Sequence, residues 1–496
     1  MDDKEKDEKE LRASSYAHKL SLRKQKVNEF LLKTRHGSTD KTYSVNIINI
    51  YVKPEFKEKK FNNLLDYLIF ASSIFQNENS NNNDIKFAIY LLKEAKIKNQ
   101  TNNEINESNI LKYISNVLQK YMNDKIIVDE LLGLLVNFTF FLENDSNMNL
   151  LTKDYMNIYA NICQQYFNDD IIFRDLITLL GNLANDNPSA QKIFYNTNLF
   201  DEIYNLSQKE NSPKDKMDVS IFFLANFSKG ISKNNDLINN NGNNNKNIFL
   251  KNLVNVMCEN LSKEEYSKNC IVSLGELSEI KECAEYIVIR KEFFFYLYKN
   301  SNPEFYWAIN KILVNLTYVS ENINLFMIET YKEQIFPYIN KLLDSNSNIM
   351  KGQGLFLLGN LIENERSKIN EIINSAGFYD KIFGYLTSTS IDILDKVTFI
   401  INIIVNSSDK EEIFKLYQKN IHLKLLQILK NNYNREIINR TIDAIIDFLQ
   451  KDTQDGIIRQ SLLDNGIKDI FENLEVDRND AELFLKTEEI SKNYCI

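Results

Sequence analysis

An all-α repeat solenoid is the fold this sequence predicts, and three observations predict it. A short apolar stretch ending in a small residue and Asn recurs along the chain. Apolar positions fall mostly at three- and four-residue spacing rather than alternating. Helix breakers are scarce, with 13 Gly and 5 Pro in 496 residues. The recurring stretch is fullest at residues 176–194, LITLLGNLANDNPSAQKIF, around Asn182. It returns as LLVNFTF with Asn137, FFLANFSKG with Asn226, ILVNLTY with Asn315, LFLLGNLIENE with Asn360 and FIINIIV with Asn402. Two echoes, CIVSLGELSE with Glu276 and TIDAIIDFLQ with Asp447, carry an acid where the Asn would be.

Successive anchors lie about 40 to 45 residues apart. That is the period of HEAT or armadillo repeats, helical units that bury their apolar faces only by stacking on neighbours. Each unit is expected to hold a short first helix, an amphipathic second helix and a third helix that carries the Asn.

The chain is 43% hydrophobic and can bury a large core. No run approaches the eighteen or so apolar residues that span a bilayer, and the charged N-terminus lacks the apolar stretch of a signal peptide. A soluble intracellular protein with no membrane or direct nucleic-acid partner is therefore expected. Cys163, Cys258, Cys270, Cys283 and Cys495 form no CxxC pair, and His18, His36 and His422 are scattered. Reduced thiols are expected, with neither a disulfide framework nor a metal site. Phosphate-cradling and nucleophile-elbow motifs are missing, so the expectation is a non-enzyme without cofactor.

In chain order, residues 1–10 are a mixed charge run. Residues 11–36 carry Arg12, Lys19, Arg23, Lys24, Lys26, Lys33 and Arg35 against the single acid Glu29, within a chain of net charge −9. A basic arm on an acidic body points to an acidic partner or to folding back on the body. The arm is placed at 1–42 and the solenoid at 43–496, with Asn-rich loop insertions near 77–84 and 234–247. Pro188, Pro303 and Pro337 are read near helix starts, where a missing N–H does little harm. The segment from Gln460 onward reads as amphipathic helices closing the solenoid with a charged cap.

These residues resemble the importin-alpha family of nuclear import adaptors, and the likeness runs in order over nearly the whole chain. GNLANDNPSAQKIF is similar to the family's second armadillo repeat, LANFSKG to the third, SLGELSE to the fourth, KILVNLT to the fifth and GNLIENERSKINEIINSAGF to the sixth. The fourth repeat lacks its Asn in the family, as at Glu276, and the fifth has a basic residue for Trp, as at Lys311. The arm is similar to the importin-beta-binding segment, and GIKDIFENLEVDRNDAELFLKTEEISKNY to the last repeat.

The resemblance implies a right-handed superhelix of about ten armadillo repeats. Its groove would hold basic nuclear localisation signals of cargo proteins, while the arm binds importin-beta or mimics cargo in the groove. It further implies a nuclear export receptor for recycling, and shuttling between cytoplasm and nucleus. A row of Asn amides, each donor and acceptor, suits the backbone of an extended peptide whatever its sequence. Asp186, Glu279, Glu130 and Asp395 stand where the family places acids; a solvated helix end is the alternative for each. In the family a Trp four residues before each Asn stacks on the ligand's lysine stems, because i and i+4 share a helix face.

Here those positions are Gly133, Thr178, Phe222, Phe356 and Thr398, with Val272 before Glu276. Each missing stack is worth roughly 0.5–2 kcal/mol. Phe222 and Phe356 either keep part of the stacking or belong to the core, and Trp307, four residues before Lys311, is read as core. The leading expectation is a divergent import adaptor; the alternative is an armadillo scaffold with a dedicated protein partner that no longer takes ordinary signals.

Overall fold

The computed structural model of the chain describes residues 61–494, apart from 62, 95–101, 142–147, 197, 209–212, 234–243, 300–302, 376, 432–433, 453–455 and 476–480. The basic arm, with Arg12, Lys19, Arg23, Lys24, Lys26, Lys33 and Arg35, lies outside the described residues. Those residues are α-helical, with short 3₁₀ turns and no strand. They divide into two units, residues 1–242 and 243–496.

The eight helices that carry the ladder are numbered here in chain order, and the helices between them are named by range. In the first unit they are α1 (Lys125–Phe141), α2 (Asp170–Ala184) and α3 (Lys214–Ser228). In the second they are α4 (Glu264–Leu277), α5 (Tyr306–Thr317), α6 (Asn348–Asn364), α7 (Ile391–Ser407) and α8 (Arg435–Gln450). In the first unit α1 packs on α2 and α2 on α3; in the second α4 packs on α5, α5 on α6, α6 on α7 and α7 on α8. Each unit is thus a helical solenoid whose Asn-bearing helices form one continuous layer.

The three-helix plan is plain in Pro188–Tyr195, Asn198–Gln208 and α3, and again in Ile369–Ser375, Phe378–Tyr385 and α7. Before α6 the first two helices run together as Glu321–Leu343, broken only by the non-helical backbone of Tyr331. Pro188 sits at N1 under an Asn187 cap, as expected. Pro337 lies inside Glu321–Leu343, in the second turn after the break at Tyr331. The first Asn-rich tract is a tight link at 77–81 followed by the opening turn of helix Asn82–Glu94.

The core is aliphatic with aromatic knots. In the first unit Phe223 lies within 6.1 Å, between ring centroids, of Phe194, Phe200 and Phe227. The side chains of Cys163, Cys258, Cys270 and Cys283 are buried thiols outside any disulfide. Burial first, then the Glu202 carboxylate, pushes the Cys163 thiol up to about 12, so it stays protonated and inert. Tyrosines tie successive repeats together in a way the Asn pattern did not announce. Tyr166 Oη donates to the Met122 carbonyl at 2.8 Å, and Tyr121 Oη to that of Ser80 at 3.0 Å. Tyr155 and Tyr385 make the same reach to Leu111 and Leu343. Tyr166 and Tyr385 serve carbonyls at or just past a helix C-terminus, which lack an intrahelical partner.

Candidate peptide-binding face

Within each unit the stacking of the ladder helices brings the expected Asn residues into rows: Asn137, Asn182 and Asn226 in the first, and Asn315, Asn360 and Asn402 in the second, between Glu276 and Asp447. The rows share one register. Asn182 Nδ2 donates to Thr139 Oγ1 at 3.2 Å, and Asn315 Nδ2 to Ser278 Oγ at 2.8 Å. In both cases the acceptor stands two residues after the anchor of the preceding repeat. These amides therefore bind repeat to repeat before they can bind anything else.

Where that position has no hydroxyl the Asn does something different. Ala184 precedes Asn226 in this sense, and Asn226 accepts instead from its own Lys229 at 2.7 Å. Asn360 is 3% exposed and its Nδ2 has no hydrogen-bond partner. Thr317, the hydroxyl in register with it, donates to the Val314 carbonyl. Asn137 and Asn402 are half-buried. A buried amide donor without acceptor costs about 1–3 kcal/mol.

The residue before the Asn decides the fate of the aromatic one repeat later. A Cβ on Gly181 would come within 3.0 Å of Phe222 Cε1 and 3.3 Å of Phe223 Cα, so glycine there admits the next ladder helix. Phe222 is consequently 8% exposed and belongs to the core. Gly359 receives Phe399 in the same manner, its missing Cβ falling 2.9 Å from Phe399 Cε1. The corresponding residue before Phe356 is Val314, and Phe356 remains 37% exposed. Thr178 and Thr398 are buried, and Thr398 returns its hydroxyl to the Leu394 carbonyl at 2.8 Å. Trp307, expected in the core, is instead 46% exposed in the first turn of α5.

The four expected acids are all paired with a basic residue of a neighbouring repeat. Glu130 holds Lys93 of helix Asn82–Glu94. Asp186, at φ +54°, holds Lys233 at 2.8 Å. Glu279 holds Lys311 at 2.6 Å, and Lys311 also reaches Glu276 at 2.9 Å. Asp395 holds Arg440, whose guanidinium lies 5.4 Å from the Phe399 ring. Burial lowers the Lys311 pKa, but the Glu276 and Glu279 carboxylates outweigh it and leave it above the ordinary lysine value.

Sequence reasoning missed the bases that fill these sites, since they come from helices other than those carrying the acids. It also missed Asp129, eight residues before Asn137. Burial first, then the neighbouring Asp175 carboxylate, pushes Asp129 up to about 6, against the lowering by Lys93. Among the described residues no group of three or more His, Cys, Asp and Glu is placed to hold a metal ion, and no helix is long and apolar enough to cross a membrane.

No family model and no curated protein matches the sequence. Among solved structures the chain is similar to a computationally designed armadillo repeat protein for modular peptide recognition, at 16% identity and a TM-score of 0.40, over 47% of this chain and 95% of that one. It is similar also to a designed armadillo repeat protein in complex with the peptide (KR)4, at 16% identity and a TM-score of 0.38, over 50% of this chain and 99% of that one. An engineered protein matches at 15% identity and a TM-score of 0.39, over 51% and 98% of the two chains. The all-α solenoid stands on the order and stacking of the helices themselves.

Proposed function

We propose that this chain is a protein-binding repeat scaffold, built on the import-adaptor plan, that holds an extended segment of a dedicated partner on the ladder face of its second unit. The observation that carries this reading is the buried, unpartnered Nδ2 of Asn360, beside α7 with half-buried Asn402 and one turn from exposed Phe356. An unpaired amide donor among the Asn residues of the ladder suits a peptide carbonyl, and an exposed ring supplies a side-chain seat.

The second reading is a nuclear import adaptor that carries basic signals, binds importin-beta through residues 11–36 and shuttles between cytoplasm and nucleus. The seven basic side chains of the arm ahead of a ladder in repeat register favour it. The pairing of all four groove acids speaks against its basic cargo. Titration of importin-beta against the full chain, and against a variant with Arg23→Gln, Lys24→Gln and Lys26→Gln, separates the two. Binding that the triple variant weakens tenfold or more establishes the adaptor (about 1.4 kcal/mol). No binding by either leaves the dedicated scaffold.

A further inference from the structure

We infer that Lys93, Lys233, Lys311 and Arg440 set the specificity of the ladder faces by closing their acidic sites, so that the partner segment is poor in lysine and arginine and is held by apolar side chains. The inference deepens the scaffold reading and rests on it.

Four acids stand on or beside the ladder helices, and each is already met by a cation of this chain. The bases come from the preceding repeat for Glu130 and from the following repeat for Asp186, Glu279 and Asp395. The closure therefore does not depend on one local geometry. Lys311 goes furthest: one ammonium lies between two carboxylates, and only about a quarter of its side chain is exposed. A lysine arriving from a ligand would have to displace an ion pair already formed within one chain, at no gain in the number of pairs. The partner's own desolvation would then be uncompensated.

The same face of the second unit offers apolar contact instead. Ile349 of α6 is 72% exposed and Ile391 of α7 is 54% exposed. Each precedes its Asn by eleven residues, about three helical turns, and so shares the Asn face. α6 and α7 pack directly on one another. With Phe356 on α6, the two isoleucines are large exposed apolar side chains carried by neighbouring ladder helices. Such a surface discriminates by excluding one ligand class as well as by attracting another.

The test uses the full chain and a fluorescent octapeptide of alternating lysine and arginine, titrated at physiological salt. The wild-type protein is expected to bind it weakly. Lys311→Gln with Arg440→Gln reopens Glu276, Glu279 and Asp395 and is expected to bind about tenfold tighter or more. Arg440→Gln alone, at a partly exposed pair, gives a smaller gain and serves if the double variant folds poorly. Wild-type affinity equal to that of both variants would overturn the inference alone.

In parallel, a phage-displayed library of random dodecapeptides is selected on the wild-type chain. Winners rich in Leu, Ile, Phe or Trp and depleted of Lys and Arg, and lost on Ile349→Asp with Ile391→Asp, support the inference. Winners rich in Lys and Arg overturn it. No enrichment, together with no octapeptide binding by any variant, would overturn both the inference and the scaffold reading beneath it.

Discussion

The α2–α3 step of the first ladder and the α5–α6 step of the second are written in nearly the same residues and are used differently. In α2 and α3, Gly181 admits Phe222, Asn182 is bonded to Thr139, and the repeated stretch is a packing device. In α5 and α6, Val314 stands in the place of the glycine, Phe356 stays at the surface, and Asn360 keeps an unpaired donor. One small residue on the preceding helix converts an exposed ring into an anchor for the next repeat. A repeated motif therefore does not imply a repeated site.

The largest expected effect tests that contrast at its aromatic. Phe222→Ala removes a buried ring from the α2–α3 contact and should cost about 3–5 kcal/mol, read as a lower urea midpoint and lost amide protection in the first unit. Phe356→Ala should cost less than about 1 kcal/mol, because the ring is already more than a third exposed. It should instead weaken capture of the selected peptides. Comparable destabilisation by both would erase the distinction between the two ladders.

The amides give the next, smaller difference. Asn182→Ala breaks the bond to Thr139 and is expected to cost about 1 kcal/mol. Asn360→Leu removes a donor that has no acceptor in the free protein, so it should be neutral or mildly stabilising by urea denaturation while still reducing peptide capture. If Asn360→Leu destabilises by as much as Asn182→Ala, the side chain is structural and the proposed seat is lost.

Much of the fold was legible because stacking imposes a period: an Asn-bearing third helix every 40-odd residues can be counted without knowing any contact. The rows were legible for the same reason. The use of each member was not, since it depends on a residue one repeat away. Asn182 is occupied because Thr139 lies on α1, and Phe222 is buried because Gly181 lies on α2. The acids could be found by position, but the bases that close them come from other helices at irregular separations, such as Lys233 in the 3₁₀ turn after α3. Trp307 was misplaced because apolarity says nothing of which end of a helix meets solvent; it sits in the first turn of α5 and is exposed. The tyrosine ties were invisible in the Asn pattern because their acceptors are backbone carbonyls, which carry no sequence signature.

The subtlest contrast between the units is in their response to acid. Asp129 has its folded pKa raised to about 6 by burial and Asp175, so between its ordinary value of 3.8 and about 6 the folded first unit binds more protons than the unfolded chain. Its contribution to stability is therefore present at low pH, declines as pH rises through that window and is lost above it. Asp129→Asn should remove the decline, with a gain over wild type that grows from pH 4 to 6 and levels off at no more than roughly 3 kcal/mol. His422 in the second unit runs the other way. Burial lowers it to about 4 despite the raising effect of Asp452, and its Nε2 lies 2.9 Å from Ser461 Oγ. Its contribution is present above its ordinary value of 6.5 and is lost as pH falls toward 4. Amide exchange resolved by unit at pH 4.5 and 7 should then show Asp129→Asn changing the first unit alone, and by clearly more at the higher pH. A gain at pH 4.5 equal to that at pH 7 would mean that the carboxyl does not titrate in this window, and that the acids of the first unit are paired as completely as those of the second.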